Sequence, residues 1–148
     1  MNKRILAIGV VVMALLAVLP AAVFAAEGTL TAQGDGRAVV RGSGEVSAIT
    51  GTGKLVVKDF NLTDAVINVT CDGIVTEVTV NGNTRKYVCR GSYTGSISGA
   101  NVKVKAVGTE IDLTATGTGI ARLRGEGTYE FNGETGEWNE VEVTITIG

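Results

Sequence analysis

The stretch Gly34-Asp35-Gly36-Arg37-Ala38-Val39-Val40-Arg41-Gly42-Ser43-Gly44-Glu45-Val46-Ser47-Ala48-Ile49-Thr50-Gly51-Thr52-Gly53 decides the fold class. Glycine, often as Gly-x-Gly, returns every eight or nine residues, and the runs between are rich in Val, Ile and Thr. The same beat continues at Gly91, Gly99, Gly108, Gly117-Thr118-Gly119 and Gly125-Glu126-Gly127. Runs of this length and composition, bounded by residues that tolerate positive φ, read as short β-strands separated by turns. No 3.6-residue apolar period is sustained anywhere in this region, so the rhythm predicts an all-β body without helix.

Outward from that stretch, the C-terminal half alternates cleanly. Val102, Val104 and Ala106 stand against Lys103 and Lys105, and Ile111, Leu113 and Ala115 against Asp112, Thr114 and Thr116. Val141, Val143, Ile145 and Ile147 continue the pattern. Such strands give one face to a core and one to water. The segments 54–58 and 65–69 are apolar on both sides, which predicts central strands. The expectation is about 10 to 12 short strands, the count that the glycine spacing implies, in an antiparallel meander closed as a sandwich or barrel. A β-solenoid with glycines at its corners remains open as the alternative. Sliding the chain along itself superposes Gly42, Gly51 and Gly53 on Gly108, Gly117 and Gly119, which reads equally as a duplication or as coincidence in a glycine-rich chain.

The N-terminus is a different kind of segment. Lys3 and Arg4 precede an uncharged apolar run that ends at Pro20 and the small residues before Ala26. This pattern is that of a signal helix over 1–25 cleaved after Ala25, with an uncleaved membrane anchor as the alternative. Residues 26–148 then form a single glycine-rich β domain, located in the cell envelope or secreted, outside the cytoplasm. Lys3 and Arg4 are among the 13 basic residues set against 15 acidic ones, so the mature chain is more acidic than the whole-chain charge of −2. It has no basic run. Nucleic acid is therefore not expected as a partner, and membrane only through an uncleaved leader.

Cys71 and Cys89 are the only cysteines, and an even count in an exported chain predicts a disulfide between them. Asn81-Gly82 between them signals a hairpin. A two-residue turn there would set Cys89 opposite Ile74, so Asp72-Gly73 has to bend the chain to bring the sulfurs together.

The search for chemistry starts from an absence. The chain has no histidine, which removes Ser-His-Asp and Cys-His nucleophile pairs and every His-based metal site. No acid, base or nucleophile constellation stands out, so no enzyme, no metal and no cofactor are expected. Glu134-Thr135-Gly136-Glu137 looks like a loop tip with two carboxylates. A solvated rim, a weak calcium site using Asn132, Glu134 and Glu137, and a catalytic pair compete to explain it. Tyr129 and Phe131 share a strand face, with Trp138 beyond the next turn. Either the rings plug the end of the core, or Tyr129 and Trp138 join Glu134 and Glu137 in a ligand site. Asn61-Leu62-Thr63 and Asn68-Val69-Thr70 fit the N-glycosylation acceptor pattern, and Asn61 is favoured because a glycan on Asn68 would interfere with sheet packing.

The region 91–138, with its Gly-Thr-Gly and Gly-Glu-Gly-Thr-Tyr spacing, resembles small exported glycine-rich β-proteins and the adhesin-head-like domains of microbial envelopes. That resemblance implies an envelope location and a structural style rather than catalysis. Two functions follow as expectations. One is a non-enzymatic structural or adhesion protein that self-associates through its uncharged terminal strand. The other is a secreted module binding a glycan or a cell-surface partner through Tyr129, Trp138 and the acidic tip.

Overall fold

The computed structural model describes residues 27–148 apart from Thr63, so the expected leader lies outside the described residues. The described chain is all-β and antiparallel. It forms β1 (Gly28–Asp59), β2 (Val66–Cys71), β3 (Ile74–Val80), β4 (Thr84–Phe131), β5 (Glu134–Trp138) and β6 (Val143–Ile147). All the others pair with β4.

β1 runs for 32 residues and β4 for 48, far beyond the usual strand length, and the glycines lie inside them. The reason is that β1 and β4 form a ribbon wound on itself. Ala38 pairs with both Ala106 and Leu123, and Val57 with both Tyr87 and Val104. Most β1 residues thus meet β4 twice, once on each side. The pairings sort the chain into two rows. The first layer runs β5, 127–131, 28–34, 111–117, 44–50, 93–98, β2; the second runs β6, 119–125, 36–42, 102–108, 53–59, 85–91, β3. Every few residues the chain crosses from one row to the other, and the glycines mark the crossings.

Inward side chains of both rows meet in one core. Leu30, Ile49, Ile97, Ile111 and Leu113 of the first layer pack with Leu55, Val57, Val104, Ala106 and Leu123 of the second. Each fully buried Leu, Ile or Val contributes about 1.5–3 kcal/mol of transfer free energy. At the crossings, glycine stands against glycine: Gly42 pairs with Gly119, Gly44 with Gly117 and Gly53 with Gly108. A Cβ on Gly42 would lie 2.7 Å from the Cα of Gly119 and overlap the carbonyl oxygen of Thr118. Gly42 and Gly119 also hold φ of 157° and 153°, where side chains are disfavoured. The bends therefore need glycine for backbone-to-backbone approach.

Carboxylates and amides hold the crossings by accepting backbone N–H groups. Asp35 accepts from Glu110 (2.8 Å), Asp64 from Ala100 (2.7 Å) and Asp72 from Ser92 (2.6 Å). Asp59, fully buried, accepts from Asn61 and Ala65, both at 3.0 Å, and so ties down the connection from β1 to β2.

Four expectations are corrected. The sheet is not closed: β2, β3, β5 and β6 each pair on one side only, so neither a barrel nor a closed meander forms. The short strands predicted between glycines fuse into long ones, because an extended glycine bend keeps the ladder running where a turn would end it. The segment 65–69, expected to be central, contributes to the edge strand β2, and its double-sided apolarity reflects an exposed Val66 and a half-buried Ile67. Finally, the hairpin after β3 has three loop residues, Val80 pairing with Thr84, which moves Cys89 opposite Val75. The Cys71–Cys89 disulfide forms across a Cα separation of 5.9 Å, because the chain changes layers at Asp72-Gly73.

Candidate functional site

Of the residues singled out near the C-terminus, Tyr129 and Glu137 line one surface groove, while Glu134 and Trp138 lie outside it. The turn between β4 and β5 is Asn132-Gly133, with φ of 50° and 86°, the conformation that an Asn-Gly hairpin adopts. Glu134 and Glu137 lie in β5, opposite Phe131 and Thr128 respectively. An odd spacing within a strand places the two carboxylates on opposite faces, so they share neither a metal nor a substrate. Asn132 uses its Oδ1 to accept the amide of Thr29. Among the described residues, no cluster of three His, Cys, Asp or Glu side chains is arranged to hold a metal.

Trp138 is 2% exposed, and its indole N–H is shared between the carbonyls of Gln33 (3.0 Å) and Thr128 (3.1 Å). It lies over Gly34 and Gly127, while Tyr129 covers Gly136 in the same way. The ligand-site reading needed Trp138 at the surface; the structure makes it a lid on bare glycine backbone, a packing device that replaces the missing side chain. Tyr93 lies over Gly51 in like fashion, and its burial pushes the phenol up to about 12. Asn61 and Asn68 are both exposed. Asn68 is on the outer side of edge strand β2, so the packing objection to that position does not hold.

The feature that reading along the chain missed is charge segregation between the two outer faces. Strand alternation sends Arg37 and Arg41 outward from 36–42, Lys54 and Lys58 from 53–59, and Lys86 and Arg90 from 85–91. Lys103 and Lys105 do the same from 102–108, and Arg122 and Arg124 from 119–125. All five segments belong to the second layer. Among the described residues only Arg85 is a basic side chain elsewhere; it points inward, donating to the Ala65 carbonyl (3.1 Å) and lying 3.7 Å from Glu77. The outer face of the first layer bears Thr29, Thr31, Thr114, Thr116 and Thr128 with Asp112 and Glu130, and no Lys or Arg. There Thr29 and Thr116 hydroxyls meet at 3.3 Å and Gln33 donates to Asp112 at 3.1 Å.

The basic face is built from like charges set directly opposite one another. Lys86 pairs with Lys58, Lys58 with Lys103, and Lys103 with Arg41. Such cross-strand pairs are destabilising. Lys103 registers the crowding: desolvation first, and then Lys58, Lys105, Arg41 and Arg122, lower its pKa below the usual lysine value. Glu142 lies against this face, 2.7 Å from Arg37 and 3.9 Å from Arg122, in a groove it shares with Arg41, Lys103 and Lys105. Arg41 also stacks over Phe60, 5.0 Å from the ring centroid. The cations form no run in sequence, and the pairing of the second-layer segments gathers them on one face.

A half-open space near Gly42, Gly99 and Gly119 is about 40 Å³, comparable to the volume of one or two waters. Comparison with known proteins adds no relatives: no family model, no curated protein and no solved structure matches the chain.

Proposed function

We propose that this protein is an exported, non-catalytic structural or adhesion domain of the cell envelope that self-associates through the open edges of its sheet. The observation that carries the reading is β3. It pairs with β4 on one side only, and Ile74, Val75, Val78 and Val80 are 68, 50, 45 and 39% exposed. Edge strands are normally guarded by charge, proline or covering loops; β3 has a lone Glu77 and exposed aliphatics on both sides. Edge β6 offers a second unpaired ladder, with Ile145 and Ile147 buried beneath it.

An exported location is supported by the leader pattern of residues 1–25 and by the Cys71–Cys89 disulfide. A non-catalytic role is supported by the absence of histidine and by the separation of Glu134 from Glu137.

Light scattering on the full chain across a concentration series tests the proposal. Dimers or larger species are expected, and Val78→Lys should shift them to monomer while the far-ultraviolet circular dichroism stays unchanged. A chain ending at Glu140, which lacks β6, separates the contribution of the second edge. A wild-type protein that stays monomeric at every concentration would sink the idea.

A further inference from the structure

We infer that the basic outer face of the second layer seats the protein flat on an anionic lipid surface, in a role that does not depend on self-association. The face is a sheet, so it presents its cations in a plane, strand beside strand at the usual spacing of about 4.8 Å. One cross-strand row reads Val78, Lys86, Lys58, Lys103, Arg41, Ile120. Val78 and Ile120, at its two ends, are 45 and 43% exposed. Four cations flanked by exposed aliphatics match a bilayer interface, where headgroup phosphates take the charges and the acyl boundary takes the apolar side chains.

That combination separates lipid from other polyanions. Single-stranded nucleic acid is bound on aromatic stacking platforms, and this face has none apart from Phe60, which Arg41 covers. Duplex reading needs an element that enters a groove, and a flat sheet face supplies none. A soluble polysaccharide would use the charges but leave Val78 and Ile120 without a role. The direct like-charge pairs cost folding stability, and that cost is relieved when anions lie across them. The lowered pKa of Lys103 points the same way, since a facing layer of phosphates would favour its charged form.

Vesicle co-sedimentation with the full chain tests this. Wild type is expected to partition onto phosphatidylcholine vesicles containing about 30% phosphatidylglycerol far more than onto pure phosphatidylcholine, and this preference should collapse in about 0.5 M salt. Replacing three central cations (Lys58→Gln, Lys103→Gln, Lys105→Gln) should reduce the anionic-vesicle partition about 100-fold and leave the pure-phosphatidylcholine baseline unchanged. That baseline absorbs whatever residues 1–25 contribute. The triple variant relieves like-charge repulsion, so it should fold at least as stably as wild type, and it leaves β3 intact. Its light-scattering behaviour should therefore match wild type, which keeps failure here distinct from failure of edge association. Equal wild-type partition on the two vesicle types, or an unchanged partition in the triple variant, overturns the inference. So does retention on a heparin column without any vesicle preference, which would assign the face to a soluble polyanion.

Discussion

Glycine at the layer crossings and glycine at the hairpin tips share a positive φ but differ in what surrounds them. At Gly42, Gly44, Gly53 and their partners Gly119, Gly117 and Gly108, a Cβ would overlap a neighbouring carbonyl. At Gly82 and Gly133, nothing lies within 4 Å. The crossings need glycine for lack of space, the tips for backbone conformation alone, and only the tips are turns. Treating both as one signal is what makes a wound ribbon look like a meander of short strands.

The largest test of that difference is Gly42→Ala. A methyl group there strikes fixed backbone on the adjacent strand and strains a φ of 157°, so the loss should be about 4 kcal/mol or more, enough to threaten folding. Denaturant unfolding checks it. Gly119→Ala, across the same crossing, should cost as much. Because the two glycines share one approach, the double variant should cost less than the two singles added together.

Trp138→Ala comes next, at about 3–5 kcal/mol. It removes the lid over Gly34 and Gly127 and leaves the carbonyls of Gln33 and Thr128 without the shared indole donor. Thermal unfolding should show the loss. A change of less than about 1 kcal/mol would mean that the crossing beside it is rigid without its aromatic cover.

The Cys71–Cys89 bond links residues 18 apart in sequence and closes a loop around β3, every residue of which is exposed. Reduction, or the change Cys71→Ser with Cys89→Ser, should cost about 3 kcal/mol by restoring entropy to the unfolded chain. Hydrogen exchange should place the loosening in β2 and β3 and spare the β1/β4 ribbon.

Alkaline titration follows. Tyr93 is 3% exposed over Gly51, and its phenol is raised from 10.0 to about 12 by desolvation. The unfolded chain ionises first, so stability is intact below pH 10 and falls as the pH climbs from 10 to 12, by about 2–3 kcal/mol in all. Tyr93→Phe should flatten that slope; a slope that persists unchanged would locate the alkaline sensitivity elsewhere.

The strand-forming character of the segments, the inward alternation of 102–106 and 111–115, and the disulfide are all legible along the chain, because each depends on neighbours within a few residues or on cysteine count. The winding is not, although its trace is present. Gly34, Gly36, Gly42, Gly44 and Gly53 have the same spacing as Gly127, Gly125, Gly119, Gly117 and Gly108 read backwards, and these are the residues that pair. A forward superposition sets Gly42, Gly51 and Gly53 on Gly108, Gly117 and Gly119, which are not partners in that order, whereas the mirrored spacing matches the antiparallel pairs. The basic face was hidden for the same reason. Arg37 with Arg41, and Lys54 with Lys58, are unremarkable pairs until the coil sets alternate segments side by side in the second layer.

The smallest effect belongs to Gly82→Ala. Gly82 has a φ of 74° at the tip of the β3–β4 hairpin, and an added methyl meets only solvent. The cost is that of holding an L-residue in the left-handed region, about 1 kcal/mol, and Gly82→Asn should cost less because Asn enters that region readily, as Asn81 already does with a φ of 54°. Measured beside Gly42→Ala in the same denaturant series, the pair sets the scale for the two kinds of glycine. A cost at Gly82 equal to that at Gly42 would mean that backbone conformation, and not close approach, dominates at the crossings, and the spatial reason for the glycine rhythm would then be wrong.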